Sequence, residues 1–407
     1  MKIVLFEDNQ CRNLRPLGLF RPLYDLYIGS WTLFKLLRLL EYPLYTIIRE
    51  HFLFEAEDLP VIESPLREPY LFLNASVEPD VRYLETLNNI IKAGDPFIST
   101  NKNRVTAAVV PPGKKLEETV IPDDISAVLL GMNLPGVGEH FRTINWPHEA
   151  VESHLRIFDT NLEKILSTGT FTSKQPGVFV GDNVNLAPTT AFDTTHGPVV
   201  IENSAMVKPF TYFEGPVHVG HDTSVMEHTS VKNKTSIEYG CMIGGEVEKS
   251  VIAPHSNKQH HGFIGNSLIG RWVNLGAGTT TSDLKNTYGT VRVQYGGRRI
   301  GTDMQFLGSV MGDFVKTGVN TTLFTGKIVG ACSMIYGIVM TNVPSFSNYA
   351  RTFGQVTEIN PEQAITTQKR MFARHNTKQS RRDIELIKRV YKLTRDERTM
   401  SDEQITF

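Results

Sequence analysis

IENSAMVKPFTYFEGPVHVGHDTSVMEHTSVKNKTSIEYGCMI, residues 201–243, carries an apolar residue at every sixth place: Ile201, Val207, Phe213, Val219, Val225, Val231, Ile237 and Ile243. Four places after each of the first seven stands a small or β-branched residue: Ala205, Thr211, Val217, Thr223, Thr229, Thr235, Cys241. An α-helix cannot use this spacing, because a step of six turns the apolar position by roughly 120° and leaves no stripe. A flat strand would show a period of two. A triangular coil with six-residue sides fits directly: the anchors point inward, small residues sit near the corners, and each coil stacks on the last by parallel ladder bonds. No single coil has a core of its own, so stability comes from stacking. The pattern predicts a left-handed parallel β-helix from Val178 to about Met340.

Shorter runs extend the count on both sides. Val180, Leu186 and Phe192 precede the main run; Phe263, Ile269 and Leu275 follow it, and then Met311, Thr317, Leu323, Val329 and Ile335. Two polar segments, 244–262 and 281–299, break the phase and are expected to be loops leaving the coil on one side, where binding residues tend to be placed.

The remainder divides around this coil. Ile3–Phe6 and Tyr70–Leu73 read as short buried strands, and Trp31–Leu40 and 81–92 as helices. Residues 1–165 are therefore expected to form an α/β domain with a mostly parallel sheet. A short connecting helix is expected at 155–166, the coil domain at 175–345, and a helical tail at 346–407 with helices at Pro361–Arg374 and Arg381–Leu393.

Composition sets outer limits. Forty per cent hydrophobic and 21% charged residues describe an ordinary globular chain, and a formal net charge of −1 offers no field for nucleic acid or an anionic membrane. Trp31–Leu40 is interrupted by Lys35 and Arg38 and cannot span a bilayer. Cys11, Cys241 and Cys332 lie far apart without metal-ligand spacing, which points to a reducing, cytoplasmic setting.

Distinctive chemistry collects at the first phase break. His255, His260 and His261 lie with Lys249 and Lys258 in one polar stretch, followed by Trp272-Val-Asn274-Leu-Gly276-Ala277-Gly278-Thr279. A histidine is the natural general base for an amine attacking a thioester, and backbone N–H groups at Gly-Ala-Gly offer donors to pantetheine or an oxyanion. The same histidines are also compatible with simple solvent exposure or with a zinc ion.

The run from Ser256 through His260, Phe263-Ile-Gly and Trp272–Thr279 to Ser282-Asp-Leu-Lys-Asn286 resembles the bifunctional N-acetylglucosamine-1-phosphate uridylyltransferase/glucosamine-1-phosphate N-acetyltransferase family. The likeness is greatest to its variant branch with a divergent, shortened sugar nucleotidyltransferase domain. Phe6-Glu-Asp8, Asn13-Leu14, Pro16-Leu17, Arg21-Pro22, Asp25 and Gly29 extend it toward the start. The resemblance implies His260 as general base, Lys232 and Lys249 on the sugar phosphate, Asn274 on the sugar, and Ala277, with Gly276 and Gly278 beside it, on acetyl-CoA. Phe263 stands where the ordinary enzyme has a tyrosine, which removes a hydroxyl donor. It also implies UTP and Mg²⁺ at the N-terminal domain and assembly as a homotrimer. There the usual Gly-rich phosphate loop is replaced by Glu7-Asp8-Asn9-Gln10, so Arg12, Arg15 and Arg21 become the candidate phosphate-binding groups. Asp80 and Glu149 are the candidate metal carboxylates. Two alternatives stay open: transfer to a different sugar 1-phosphate, and a non-catalytic regulatory protein of the same architecture.

Overall fold

The computed structural model describes residues 1–54, 66–101, 104–114 and 125–398. By internal contacts the chain falls into two units, one comprising Met1–Leu14 and Arg21–Trp146, the other Arg15–Phe20 and Pro147–Phe407.

The first unit is built on six strands: β1 (Lys2–Phe6), β2 (Leu44–Ile47), β3 (Tyr70–Asn74), β4 (Phe97–Asn101), β5 (Arg104–Val110) and β6 (Gly136–Val137). They lie in the order β2-β1-β3-β5-β4-β6. β1 pairs parallel with β2 and β3, and β4 parallel with β6, but β5 runs antiparallel to both β3 and β4. The sheet is thus mixed rather than mostly parallel, because β4 and β5 follow one another directly and fold back as neighbours. Both faces are covered, so the strands read as unbroken apolar runs. Ile3, Leu5, Leu71 and Leu73 pack with Leu33 and Leu37 of helix α1 (Leu33–Arg38) and with Leu87 and Ile91 of α2 (Tyr83–Ala93). Val4, Phe6 and Phe72 face Ile125 and Leu129 of α3 (Ile125–Gly131). The helix expected at Trp31–Leu40 is shorter because Thr32 caps it, its side chain accepting from the Lys35 amide.

The second unit is the parallel β-helix read from the repeat. Each coil gives one short strand to each of three sheets. Val199–Ile201, Val217–Val219 and Thr235–Ile237 stack on the first face; Met206–Val207, Ser224–Val225 and Met242–Ile243 on the second; Tyr212–Glu214, Ser230–Val231 and Glu246–Glu248 on the third. Every anchor from Ile201 to Ile243 is buried in one continuous core. The threonines between them have a definite task at the corner from second to third face. Thr211, Thr229, Thr279 and Thr321 are buried, and each donates its hydroxyl to the carbonyl three residues back, at 2.7–3.0 Å.

The phase breaks turn out to be of two kinds. The expected loop at 244–262 is coil throughout, with strands at Glu246–Glu248, Val251–Ile252, Asn257–Lys258 and Phe263–Gly265. What changes is the length of the turn: Val219 pairs with Ile237, eighteen residues on, but Ile237 pairs with Ile252, only fifteen on. The inward residues there are Val247, Ile252, Lys258 and Ile264; Phe263, counted as an anchor, lies one place off and faces outward. The second break is a true insertion. Between Thr281 and Ser309 the chain leaves the coil and forms the antiparallel hairpin Arg292–Tyr295/Arg298–Gly301. The coil then resumes, and its last parallel strand is Ser347–Ala350.

The connecting helix is longer than its sequence suggests: α4 runs Pro147–Thr168. Its buried side include His148, Ser153, His154 and Asn161, polar residues that hide an amphipathic pattern. His154 Nε2 meets the Lys234 carbonyl at 2.8 Å, and Lys234 Nζ reaches Asp159, which ties α4 to the coil. The tail helices α5 (Pro361–Arg374) and α6 (Arg381–Leu393) fall where expected, each opened by a capping box, Asn360/Gln363 and Ser380/Asp383. Ala364, Ile387 and Val390 pack on Ala331, Cys332 and Phe346 of the coil together with Leu19. No described helix is long and apolar enough to cross a membrane.

Burial lowers the His154 pKa from 6.5 to about 4. The folded state therefore keeps this imidazole neutral while the unfolded chain takes a proton below 6.5, so stability is full above pH 6.5 and declines from there to about pH 4. His154→Gln should flatten this decline by roughly 3 kcal/mol, read from urea unfolding at pH 7 and pH 4.5.

Candidate functional site

At the corner from second to third face, two successive coils place Gln259–Gly262 over Gly276–Thr279. His260 and His261 are exposed there, and the His261 carbonyl accepts from the Gly278 amide at 3.0 Å. His255 is not with them. It sits one corner earlier, stacked on Trp272 at 4.3 Å between Tyr239 and His375, and burial lowers its pKa to about 4. The three histidines do not converge, and no group of three His, Cys, Asp or Glu among the described residues is placed to hold a metal ion.

The Gly-Ala-Gly turn resolves into unlike parts. The Gly276 amide donates to Thr317 Oγ1 at 2.9 Å and that of Gly278 to His261. A Cβ on Gly276 would lie 2.6 Å from the Gly318 carbonyl oxygen, so this glycine serves coil stacking. The Ala277 amide is different: it donates to no protein group among the described residues, while the Ala277 carbonyl accepts from Asn320. An unused donor on an accessible corner is what a bound carbonyl would take.

Side chains on the two adjoining faces complete the surroundings. Asn274 is exposed on the second face, bridged in the ladder between Asn257 and Lys316. Asn257, which the sequence did not single out, has its buried Oδ1 without a partner among the described residues. On the third face Phe263 opens the strand and follows Tyr212, Ser230 and Glu246 in one outward row. Lys232 lies in the next row, in register with Glu248, and Lys249 follows at the strand's end. Glu246 hydrogen-bonds Lys232 Nζ and holds its pKa above the ordinary lysine value. Apart from His255, the residues that the sequence grouped are thus on this corner and its two adjoining faces, with Glu246 as an unforeseen counter-ion for Lys232.

The first unit spends its conspicuous charges internally. Glu7 accepts from the Leu23 amide at 2.8 Å and from both the amide and guanidinium of Arg49. Asp8 takes two bonds from Arg104, at 2.7 and 2.8 Å, and one from Asn74. Burial acts to raise its pKa, but the Arg104 bonds and charge outweigh that and hold it below the ordinary carboxylate value. Arg12 is exposed and Arg21 buried, whereas Arg15 belongs to the second unit and hydrogen-bonds Asp396 at 3.5 Å. Asp80 is clasped by the Arg82 guanidinium, and Glu149 stands in the first turn of α4 in the other unit.

Comparison with known proteins gives one family match and several relatives. Residues 3–168 match the family described as sugar nucleotidyl transferase. A bifunctional sugar-1-phosphate nucleotidylyltransferase/acetyltransferase of Sulfurisphaera tokodaii is 35% identical over 152 residues, 36% of this chain and 37% of that protein. The bifunctional protein GlmU of Methanococcus vannielii is 32% identical over 124 residues, covering 30% of this chain and 27% of its own length. Over the matched residues the chain is thus similar to bifunctional sugar-1-phosphate nucleotidylyltransferase/acetyltransferases. The chain matches only about a third of the length of these curated relatives.

Because Asp8 and Arg104 are both buried, removing one partner strands the other. Asp8→Ala or Arg104→Ala should each cost about 3–5 kcal/mol, whereas Asp8→Leu with Arg104→Met should cost less than either alone. Above the unfolded Asp value the pair's contribution is full, and it is lost as pH falls through the lower folded value; thermal melts between pH 7 and 3 measure both effects.

Proposed function

We propose that this protein acetylates glucosamine 1-phosphate with acetyl-CoA at the coil, and transfers a uridylyl group from UTP to the resulting N-acetylglucosamine 1-phosphate at the N-terminal unit, giving UDP-N-acetylglucosamine. The observation that carries the reading is the corner at which exposed His260 lies one coil from the unpartnered Ala277 amide. The amine nitrogen attacks the thioester carbonyl, His260 removes the amine proton, and the C–S bond breaks as the proton passes to the leaving thiolate. The Ala277 N–H supports acetyl-CoA, Asn274 the sugar, Lys232 and Lys249 the phosphate, and Phe263 walls the sugar ring. The nucleotidyl step rests on the family match of residues 3–168. In this reading Mg²⁺ would neutralise the triphosphate charge, held by one or two carboxylates and the substrate phosphates.

A second reading is favoured by the ion pairs of Glu7 and Asp8: the N-terminal unit binds a sugar nucleotide without turning it over and regulates the coil. Incubation with sugar 1-phosphates, nucleoside triphosphates and acyl-CoAs separates the two, since only the first reading gives a nucleotide sugar. His260→Ala should lower acetyl transfer by about 100- to 10,000-fold with little change in the KM for acetyl-CoA; wild-type turnover would remove His260 from the mechanism.

The protein acts as a cytoplasmic homotrimer in this reading. α4 is tied to Lys234 at the corner leading into the first face, while Phe324, Ile338 and Met340 stand exposed on neighbouring strands of the third. Such a row suits contact between copies. Ile338→Asp should shift the mass measured by light scattering from three chains to one.

A further inference from the structure

The corner threonine is missing where His260 is. Thr211, Thr229, Thr279 and Thr321 clamp the equivalent corners of other coils, each by a bond to the corner carbonyl. The two coils between Thr229 and Thr279 have Gly244-Gly245 and Gln259–Gly262 at that corner instead. A lysine supplies the missing bonds from inside the prism. Lys258 is in register with Ile243, an inward position, and is 1% exposed. Its Nζ donates to the Gly244 carbonyl at 2.9 Å and to the carbonyl of His260 itself at 2.7 Å. Gly245 makes room for it: at φ +75°, a Cβ there would lie 2.8 Å from Lys258 Nζ.

We infer that Lys258 is a positioning residue for His260, clamping from the core the corner on which the base stands. This inference rests on the reading of His260 as the general base. An apolar side chain, as at Val207, Val225 and Ile243 in the same column, would fill the volume but leave the Gly244 and His260 carbonyls without these bonds. Among the described residues no hydrogen bond holds the His260 imidazole, so the backbone of the corner sets where the ring stands. A shift of about 1 Å in a catalytic group is enough to cost on the order of 100-fold. Desolvation lowers the Lys258 pKa to about 8, and no charged group contributes to that shift. A neutral amine still has two N–H groups for the two carbonyls, so the clamp does not depend on its charge.

A double-mutant cycle on the full chain tests this. Lys258→Met should lower kcat for acetyl transfer by about 10- to 100-fold, with the KM for acetyl-CoA within about twofold. In the His260→Ala background the same change should have no further effect, because the lysine acts only through the histidine. An equal loss in both backgrounds, or a wild-type rate for Lys258→Met, would overturn the inference. Full activity of His260→Ala alone would instead overturn the reading of the base and leave the cycle's coupling at zero. Should Lys258→Met fail to fold, Lys258→Gln, which keeps amide donors on the same column, carries the cycle with the same expected non-additivity.

Discussion

Everything in the second unit depends on the inward column of each face staying filled from one coil to the next. A single coil of this kind encloses only its own three anchors and exposes its ladder on both sides; its neighbour supplies the other half of every hydrogen bond and most of the apolar contact. Val207, Val225 and Ile243 therefore stabilise one another, and the corners follow from where those columns stand. The chemistry uses the leftovers of that arrangement. Coil stacking consumes the Gly276 and Gly278 amides and spares the one between them.

The columns were legible because the period of six cannot be shared by a helix or a flat strand. The breaks were less so. A run of polar residues with three histidines reads as a loop, yet Val247, Ile252 and Ile264 keep the coil closed with shorter corners. Counting again from Ile252 lands on Lys258 and Ile264, so the signal for the interior lysine was present but inverted: a charged residue at an anchor position looks like a failure of the pattern. Phe263 was taken one place out of register for the same reason, and a slip of one residue exchanges inside for outside. His255 was grouped with His260 by proximity in sequence, although a corner and a strand separate them. α4 was underestimated because His148, His154 and Asn161 bury polar atoms against partners that no local pattern reveals.

In the first unit the sequence signalled charge but not its use. Glu7 and Asp8 close the first strand, a position from which carboxylates can reach solvent or the core. Here they turn inward, and Arg49 and Arg104, distant in sequence, meet them. Such pairs fix the path of the chain after β1 more than they add to stability, since desolvation offsets much of their attraction. Cys11, buried beside Asp8, has its thiol pushed well above the ordinary value by that burial and by the adjacent carboxylates. The likeness of residues 3–168 to a sugar nucleotidyl transferase thus coexists with a first loop held by internal ion pairs.

The change from eighteen to fifteen residues per turn also alters the shape of the prism. Three residues fewer shorten the perimeter by about 10 Å, which gives the column a waist between full-sized coils. The shortening falls at the Gly244-Gly245 corner, where only four residues separate the inward Ile243 and Val247, one coil before the His260 corner, which keeps six from Lys258 to Ile264. A step made by deletion differs from one carved by small side chains, because its height is a count of residues. Exchanging side chains around it changes what lines the step, but only inserting or removing a residue changes its height.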